Sequence, residues 1–269
     1  MNILSLGAGV QSTTLLLMAG HGEFETKPDY AIFADTGWEP QATYEHLEWL
    51  ERESTKLGIP VIRTAKGNIH DDLISGSRNQ SRTANMPFYV EHDGEKAIIP
   101  RGCTGEYKIE AVNKKVRELL GYQKRQRIPP KSVTKWMGIS SDEIYRAKTT
   151  GVNAWEVLRY PLIEKGMSRL DCMNWLARNG YNVPPKSACI GCPFHSDRTW
   201  LEMKRNDPEA FKEAVEFERV IHQHGLRGMK GKLYLHKSCR PLDQVNLNED
   251  QMDMFDDGFL NECDGMCGV

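Results

Sequence analysis

The feature that most restricts what this chain can fold into lies at its start. A run of strand length, Asn2-Ile3-Leu4-Ser5-Leu6, passes through Gly7-Ala8-Gly9 into a helical stretch from Val10 to Ala19. A second apolar run, Tyr30 to Ala34, ends at Asp35-Thr36-Gly37, and Pro40 opens a segment with Tyr44, Leu47 and Leu50 spaced by three. Proline suits the first turn of a helix, and that spacing keeps the apolar side chains on one face. Ile59-Pro60-Val61-Ile62 supplies a third short strand. Strand, helix, strand, helix, strand implies right-handed crossovers, hence an α/β fold with a parallel twisted sheet and helices on both faces.

Further along, Phe88-Tyr89-Val90 and Ala97-Ile98-Ile99 flank Asp93-Gly94, the pattern of a hairpin inserted into the α/β frame within a less regular segment, 66–102. Ile109, Val112, Val116 and Leu119 fall on one face of a helix expected over Thr104–Leu120, with Gly121 to end it. Val133 to Ile139 reads as another strand, closing in Gly138-Ile139-Ser140-Ser141-Asp142-Glu143. Ser168 is an N-cap with Asp171 three positions on, ahead of Leu170, Met173 and Leu176 at helical spacing, and Pro208 to His224 reads as a further helix. The expected division is a nucleotide-binding α/β domain over 1–160 and a smaller helical, cysteine-bearing region over 161–269.

Composition narrows the class. The 269 residues suffice for one sizeable core, and a net charge of −2 points to no polyanion partner in bulk. The basic loop with Lys124, Arg125, Arg127, Lys131 and Lys135 reads as a solvated loop first and as a phosphate-steering patch second. No apolar stretch reaches the length of a membrane span, and nothing at the start resembles a signal peptide, so a cytoplasmic protein without membrane contact is expected. Seven cysteines, an odd count, read as metal ligands or reactive thiols rather than as a disulfide framework.

Four of those cysteines suggest a soft-metal centre. Cys189 and Cys192 form a C-x-x-C knuckle in Ser187-Ala188-Cys189-Ile190-Gly191-Cys192-Pro193, Cys103 lies in Arg101-Gly102-Cys103-Thr104, and Cys263 lies in Glu262-Cys263-Asp264-Gly265. Thiolates bind zinc and iron–sulfur clusters, and the knuckle lets two reach one centre. Three cysteines with His195 would also satisfy zinc. Cys267 could replace Cys103 as a ligand or act as a reactive thiol, Cys172 reads as core, and Cys239 is undecided. Trp136, Trp155, Trp175 and Trp200 read as core. At the other end of the argument, Gly7 and Gly9 let backbone N–H groups approach an anion at a helix N-terminus, with Ser12 and Thr13 as hydroxyl donors. A tight turn holding nothing is the plain alternative. The text is neither a Walker A loop nor G-x-G-x-x-G.

Ser5 to Ser12 resembles the pyrophosphate loop, S-G-G-x-D-S, of the adenine-nucleotide α-hydrolase superfamily, with Gln11 in place of the aspartate and Gly7 in place of the first serine. Asp35-Thr36-Gly37 with Glu39 and Thr43, Cys103-Thr104 with Lys108, Gly138-Ile139-Ser140-Ser141-Asp142-Glu143 with Arg146, and Tyr160-Pro161-Leu162 resemble, in order, segments of phosphoadenosine phosphosulfate (PAPS) reductases. Gly102 stands where adenylylsulfate reductases carry the first of two adjacent cysteines, so the chain looks more like the PAPS-reductase-like proteins of bacteria and phages. The resemblance implies ATP or another adenine nucleotide, with magnesium, over the carboxyl ends of the strands. Ser5, Gly7, Gly9, Gln11 and Ser12 would hold phosphate, Asp35 and Thr36 the sugar side, and Gly138, Asp142 and Arg146 the far wall. It implies a [4Fe-4S] cluster, with zinc as the alternative, on Cys103, Cys189, Cys192 and Cys263. Lys108, Asp35 and Cys267 are the catalytic candidates. The expected activity is adenylation of an acceptor, RNA or DNA among the candidates, followed by sulfur transfer from an unnamed donor. A sulfonucleotide reductase and a non-catalytic nucleic-acid-binding module are the rivals, and a homodimer is compatible with all three.

Overall fold

The structure is a computed structural model that describes residues 1–83, 86–92, 94–229 and 231–247. Its centre is a five-stranded parallel sheet of β1 (Asn2–Leu6), β2 (Tyr30–Asp35), β3 (Val61–Ala65), β6 (Val133–Met137) and β7 (Glu156–Arg159). Strand order is β3-β2-β1-β6-β7, and all four neighbouring pairs are parallel. The intervening β4 (Tyr89–His92) and β5 (Glu95–Ile98) pair antiparallel, and β8 (Leu233–Tyr234) adds to β4 in a second sheet. The hairpin is therefore present and recruits a strand from the region expected to be helical.

Eight α-helices surround these sheets among the described residues: α1 (Val10–Gly20), α2 (Gln41–Lys56), α3 (Ile69–Asn79), α4 (Glu110–Leu119), α5 (Pro161–Glu164), α6 (Arg169–Arg178), α7 (Asp197–Asn206) and α8 (Pro208–His224). Side-chain alternation along the strands decides which face each helix covers. Leu4, Leu6, Ala31 and Phe33 pack with Leu15, Leu16 and Leu17 of α1, Leu47 and Leu50 of α2, and Trp175 and Leu176 of α6. The alternate residues Ile3, Ile32 and Ala34 pack with Ala111, Val112 and Val116 of α4. Helices thus cover both faces of a Rossmann-like α/β fold.

A third apolar cluster joins Trp38, Ile69 and Leu73 to Trp200, Phe211, Phe217 and Leu235. It fixes α3, α7 and α8 to the loop after β2. The helix α6 begins with the capping box expected from Ser168 and Asp171, and Cys172 is fully buried within it. Among the described residues no helix is long and apolar enough to cross a membrane.

Three expectations are corrected. The segment 66–102 contains a helix, α3, whose N-cap Asn68 accepts hydrogen bonds from the N–H groups of His70 and Asp71. The helix expected over 104–120 begins with a π-helical stretch, Thr104–Ile109. That wider turn carries Tyr107, Lys108 and Ile109 all inward, so Lys108 is buried and does not belong to a solvated face. The third strand runs from Val61 to Ala65, beyond Pro60, which cannot donate to a ladder.

Candidate functional site

The strand β1 is the centre of the sheet order, with β2 on one side and β6 on the other. Ligands of open parallel sheets favour the crevice at the carboxyl ends where the order reverses. The glycine turn lies there, directly after β1. Ala8 has φ 60°, in the left-handed region that non-glycine residues seldom enter. The N–H of Gly7 donates to Ser12 Oγ at 3.2 Å, and Ser12 Oγ donates to the carbonyl of Gly9 at 3.4 Å. Thr13, expected to serve an anion, turns elsewhere: its Oγ1 lies 3.1 Å from His46 Nε2 on α2. Val10 to Ala19 are all buried, and α1 has no side-chain N-cap among the described residues. Its N-cap, Gly9, has no side chain to cap it, and a helix start without a side-chain cap is a place where an anion can satisfy N–H groups.

The far wall comes from β6. A Cβ on Gly138 would stand 2.9 Å from Ser12 Cα and 2.9 Å from Ser12 N, so glycine is what lets this strand end approach the start of α1. Beyond it, Ser141–Arg146 forms a 3₁₀ helix. Gln11 Nε2 donates to Glu143 Oε2 at 2.9 Å and to Ser140 Oγ at 3.4 Å, while Gln11 Oε1 accepts from Arg169 Nη1 at 2.9 Å. Arg146 Nη1 pairs with Glu143 Oε1 at 2.6 Å. Asp142 does not face this network; its carboxylate accepts the N–H of Arg169 at 3.2 Å, at the start of α6. Among the expected binding residues, Gly7, Gly9, Gln11, Ser12, Gly138 and Arg146 are brought together, and Ser5 is buried within β1.

The near wall comes from β2. Asp35 Oδ1 accepts from Gly37 N at 2.7 Å and from Tyr44 OH at 3.0 Å, so it braces the turn that presents Thr36. Burial first, and the Asp35 carboxylate beside it, push the Tyr44 hydroxyl well up from its ordinary value and keep it a donor. Thr36 Oγ1 lies 3.1 Å from Cys189 Sγ and donates to Glu39 Oε1 at 3.2 Å. The end of β2 therefore touches the cysteine knuckle directly.

That knuckle crosses the carboxyl ends of β1 and β2. Ile190 N donates to the carbonyl of Trp38 at 2.9 Å, and a Cβ on Gly191 would meet Trp38 Cη2 at 2.1 Å, so the knuckle lies flat on the indole. His195 Nε2 lies 3.0 Å from the Cys189 carbonyl. Cys103, Cys189 and Cys192 line one small cavity with Thr36, Arg101 and Lys108. The Arg101 guanidinium sits 4.2 Å over the Phe194 ring. Lys108 Nζ lies 3.9 Å from Glu39 Oε1, and the Cys189 thiol 3.7 Å from the same oxygen. Burial and the Glu39 carboxylate push that thiol well up, against the opposing pull of Lys108.

Three thiols on one cavity wall match the donor chemistry of a soft metal or iron–sulfur centre. Among the described residues, though, no three His, Cys, Asp or Glu side chains already converge as a metal-holding group. Cys263 and Cys267 lie outside the described residues. Ser187 and Arg169 are site residues to which sequence patterns gave no role, and Glu39, quoted only within the resembling Asp35-Thr36-Gly37 segment, proves to be a buried neighbour of Lys108 and Cys189. A carboxylate in Trp38-Glu39-Pro40, next to a tryptophan and a helix-opening proline, is the one signal that marks Glu39 as buried. No protein-family model matches the chain, and no curated protein does.

Proposed function

We propose that the chain is an adenine-nucleotide-binding enzyme of the PAPS-reductase-like kind, which adenylates an acceptor oxygen and replaces it with sulfur. One observation carries the reading. A buried helix start without a side-chain cap, at the reversal point of a parallel sheet, is joined through the Ser187–Gly7 hydrogen bond to a knuckle whose two thiols line a cavity with Cys103. An anion site and a soft-donor site that share one crevice suit a reaction that activates with a nucleotide and then handles sulfur.

In this reading the N–H groups of the Gly7–Gly9 turn and of the α1 start hold the phosphates, while Arg146 and Arg169 supply positive charge from the far wall. The acceptor oxygen attacks the α-phosphorus, the bond to the β-phosphate oxygen breaks, and pyrophosphate leaves with the bonding pair; sulfide-level sulfur from a separate donor then attacks the activated carbon, its C–O bond breaks, and AMP leaves with that electron pair. Thr36 orients the sugar side, braced by Asp35. An iron–sulfur centre held by Cys103, Cys189 and Cys192, with a fourth ligand position for Cys263 or Cys267, would supply thiophilic and redox chemistry there. Lys108 and Arg101 line the same cavity and balance thiolate charge.

The test is titration of anaerobically prepared protein with ATP and magnesium, followed by assay of pyrophosphate release with RNA or DNA as acceptor. Micromolar binding and acceptor-dependent pyrophosphate are expected. Absence of nucleotide binding overturns the reading. Sulfite released from a sulfonucleotide in the presence of a dithiol would make the enzyme a reductase instead.

A further inference from the structure

Ser187 stands two positions before Cys189 and is buried, with 3% of its surface exposed. Its Oγ donates to the carbonyl of Gly7 at 2.5 Å, across a separation of 180 positions in the chain. The N–H of Gly7 is already committed to Ser12 Oγ. Gly7 is thus gripped at both backbone groups, at one by the first turn of α1 and at the other by the cysteine knuckle. The carbonyl of Gly7 and the N–H of Ala8 belong to one planar peptide and point in opposite directions. Holding the carbonyl toward Ser187 therefore aims the Ala8 N–H away from the knuckle, across the turn. Ala8 pays for this arrangement with a left-handed backbone, φ 60°, and a left-handed residue leading into a helix start is the geometry that gathers successive N–H groups around an anion.

We propose that Ser187 is a positioning residue that sets the Gly7–Ala8 peptide in its anion-binding orientation, and so couples occupancy of the glycine turn to the conformation of the cysteine knuckle. The proposal rests on the reading that this turn binds the nucleotide's phosphates. The coupling has a short physical path. The knuckle is tied to the end of β1 through Ser187, to the end of β2 through Thr36 and Cys189, and to the following loop through Ile190 and the Trp38 carbonyl. A phosphate that draws on the Ala8 N–H strengthens the hydrogen bond at the other end of the same peptide, and binding linkage makes that effect reciprocal.

The experiment compares the parent chain with Ser187→Ala and Ser187→Thr in calorimetric titrations with ATP and with inorganic pyrophosphate, alongside hydrogen exchange across 7–13 and 187–195. Ser187→Ala should bind both ligands about tenfold more weakly, the size expected when one buried hydrogen bond is removed. Ser187→Thr, which keeps the hydroxyl, should stay within about threefold of the parent. In the parent, saturating ATP should slow exchange at 187–195 about tenfold as well as at 7–13, and Ser187→Ala should lose the distant protection even at saturation. If Ser187→Ala melts lower yet binds like the parent, the serine is only structural and the proposal fails. Should either variant fail to fold, the parent alone decides: ATP protection of 7–13 with no change at 187–195 also overturns it. A parent that binds neither ATP nor pyrophosphate removes the nucleotide reading itself.

Discussion

Gln11 replaces an acid of the resembling loops with a neutral amide that bridges two charged groups, accepting from Arg169 and donating to Glu143. The substitution was visible in the sequence, but its consequence was not, because both partners lie more than 130 positions away. Lys108 was a catalytic candidate by resemblance, and its burial was not legible: the π-helical turn carries it into the core within 3.9 Å of buried Glu39. Removing one member of a buried ion pair strands the other charge. Lys108→Met should therefore lower unfolding stability on the order of 3 kcal/mol, measured by chemical denaturation. The double variant Glu39→Gln with Lys108→Met should recover more than half of that loss, because the two opposite charges are then removed together. Equal losses in the two variants would mean that the pair's charge is not what matters.

Elements were legible where one rule governed them. The strands β1 and β2 alternate between two buried faces and are largely apolar, so their existence and direction followed from pattern alone. The helix α3 was not legible, because its Asn68 cap precedes a stretch broken by Gly76 between two serines and held by tertiary contacts. The approach of β6 to α1 was legible only as a glycine. Gly138→Ala would drive a methyl into Ser12 backbone at 2.9 Å, so it should cost about 1–3 kcal/mol in thermal unfolding and weaken ATP binding at least tenfold. Between α1 and α2, burial lowers the His46 pKa from 6.5 to about 4 beside Thr13. The unfolded chain takes up this proton first, so the contribution is complete above pH 6.5 and is lost as pH falls toward 4. The slope should approach about 1.4 kcal/mol per pH unit from this group. His46→Gln should remove that share of the slope, read from denaturation midpoints between pH 7 and 4.5.

At the scale of the whole molecule, the site is a product of topology. The glycine turn, Thr36 and Gly138 meet because β1 separates β2 from β6, and the knuckle reaches them because the Trp38 cluster fastens α7 and α8 onto the loop after β2. Sequence order hid that last step, since an apolar cluster drawn from 38–107 and 190–247 has no local signature. The two binding functions proposed for this region should still separate by mutation. ATP at 100 times its dissociation constant should stabilise the parent by about 2.7 kcal/mol, seen as a rise of about 5–10 °C in melting temperature. Gly9→Leu places a side chain where backbone must approach phosphate, so it should abolish the ATP-induced rise while anaerobic protein keeps its iron and sulfide. Cys192→Ser should do the reverse, losing iron and the broad absorbance near about 400 nm expected of a cysteine-ligated cluster, and keeping an ATP-induced rise. Some loss of ATP affinity in Cys192→Ser is expected through the Ser187 link, and it should not exceed the tenfold effect of Ser187→Ala, because that hydrogen bond is the route between them. Stoichiometric zinc without sulfide in the parent would replace the cluster by a structural metal, and an ATP response that vanishes in both variants would mean that the two functions form a single site.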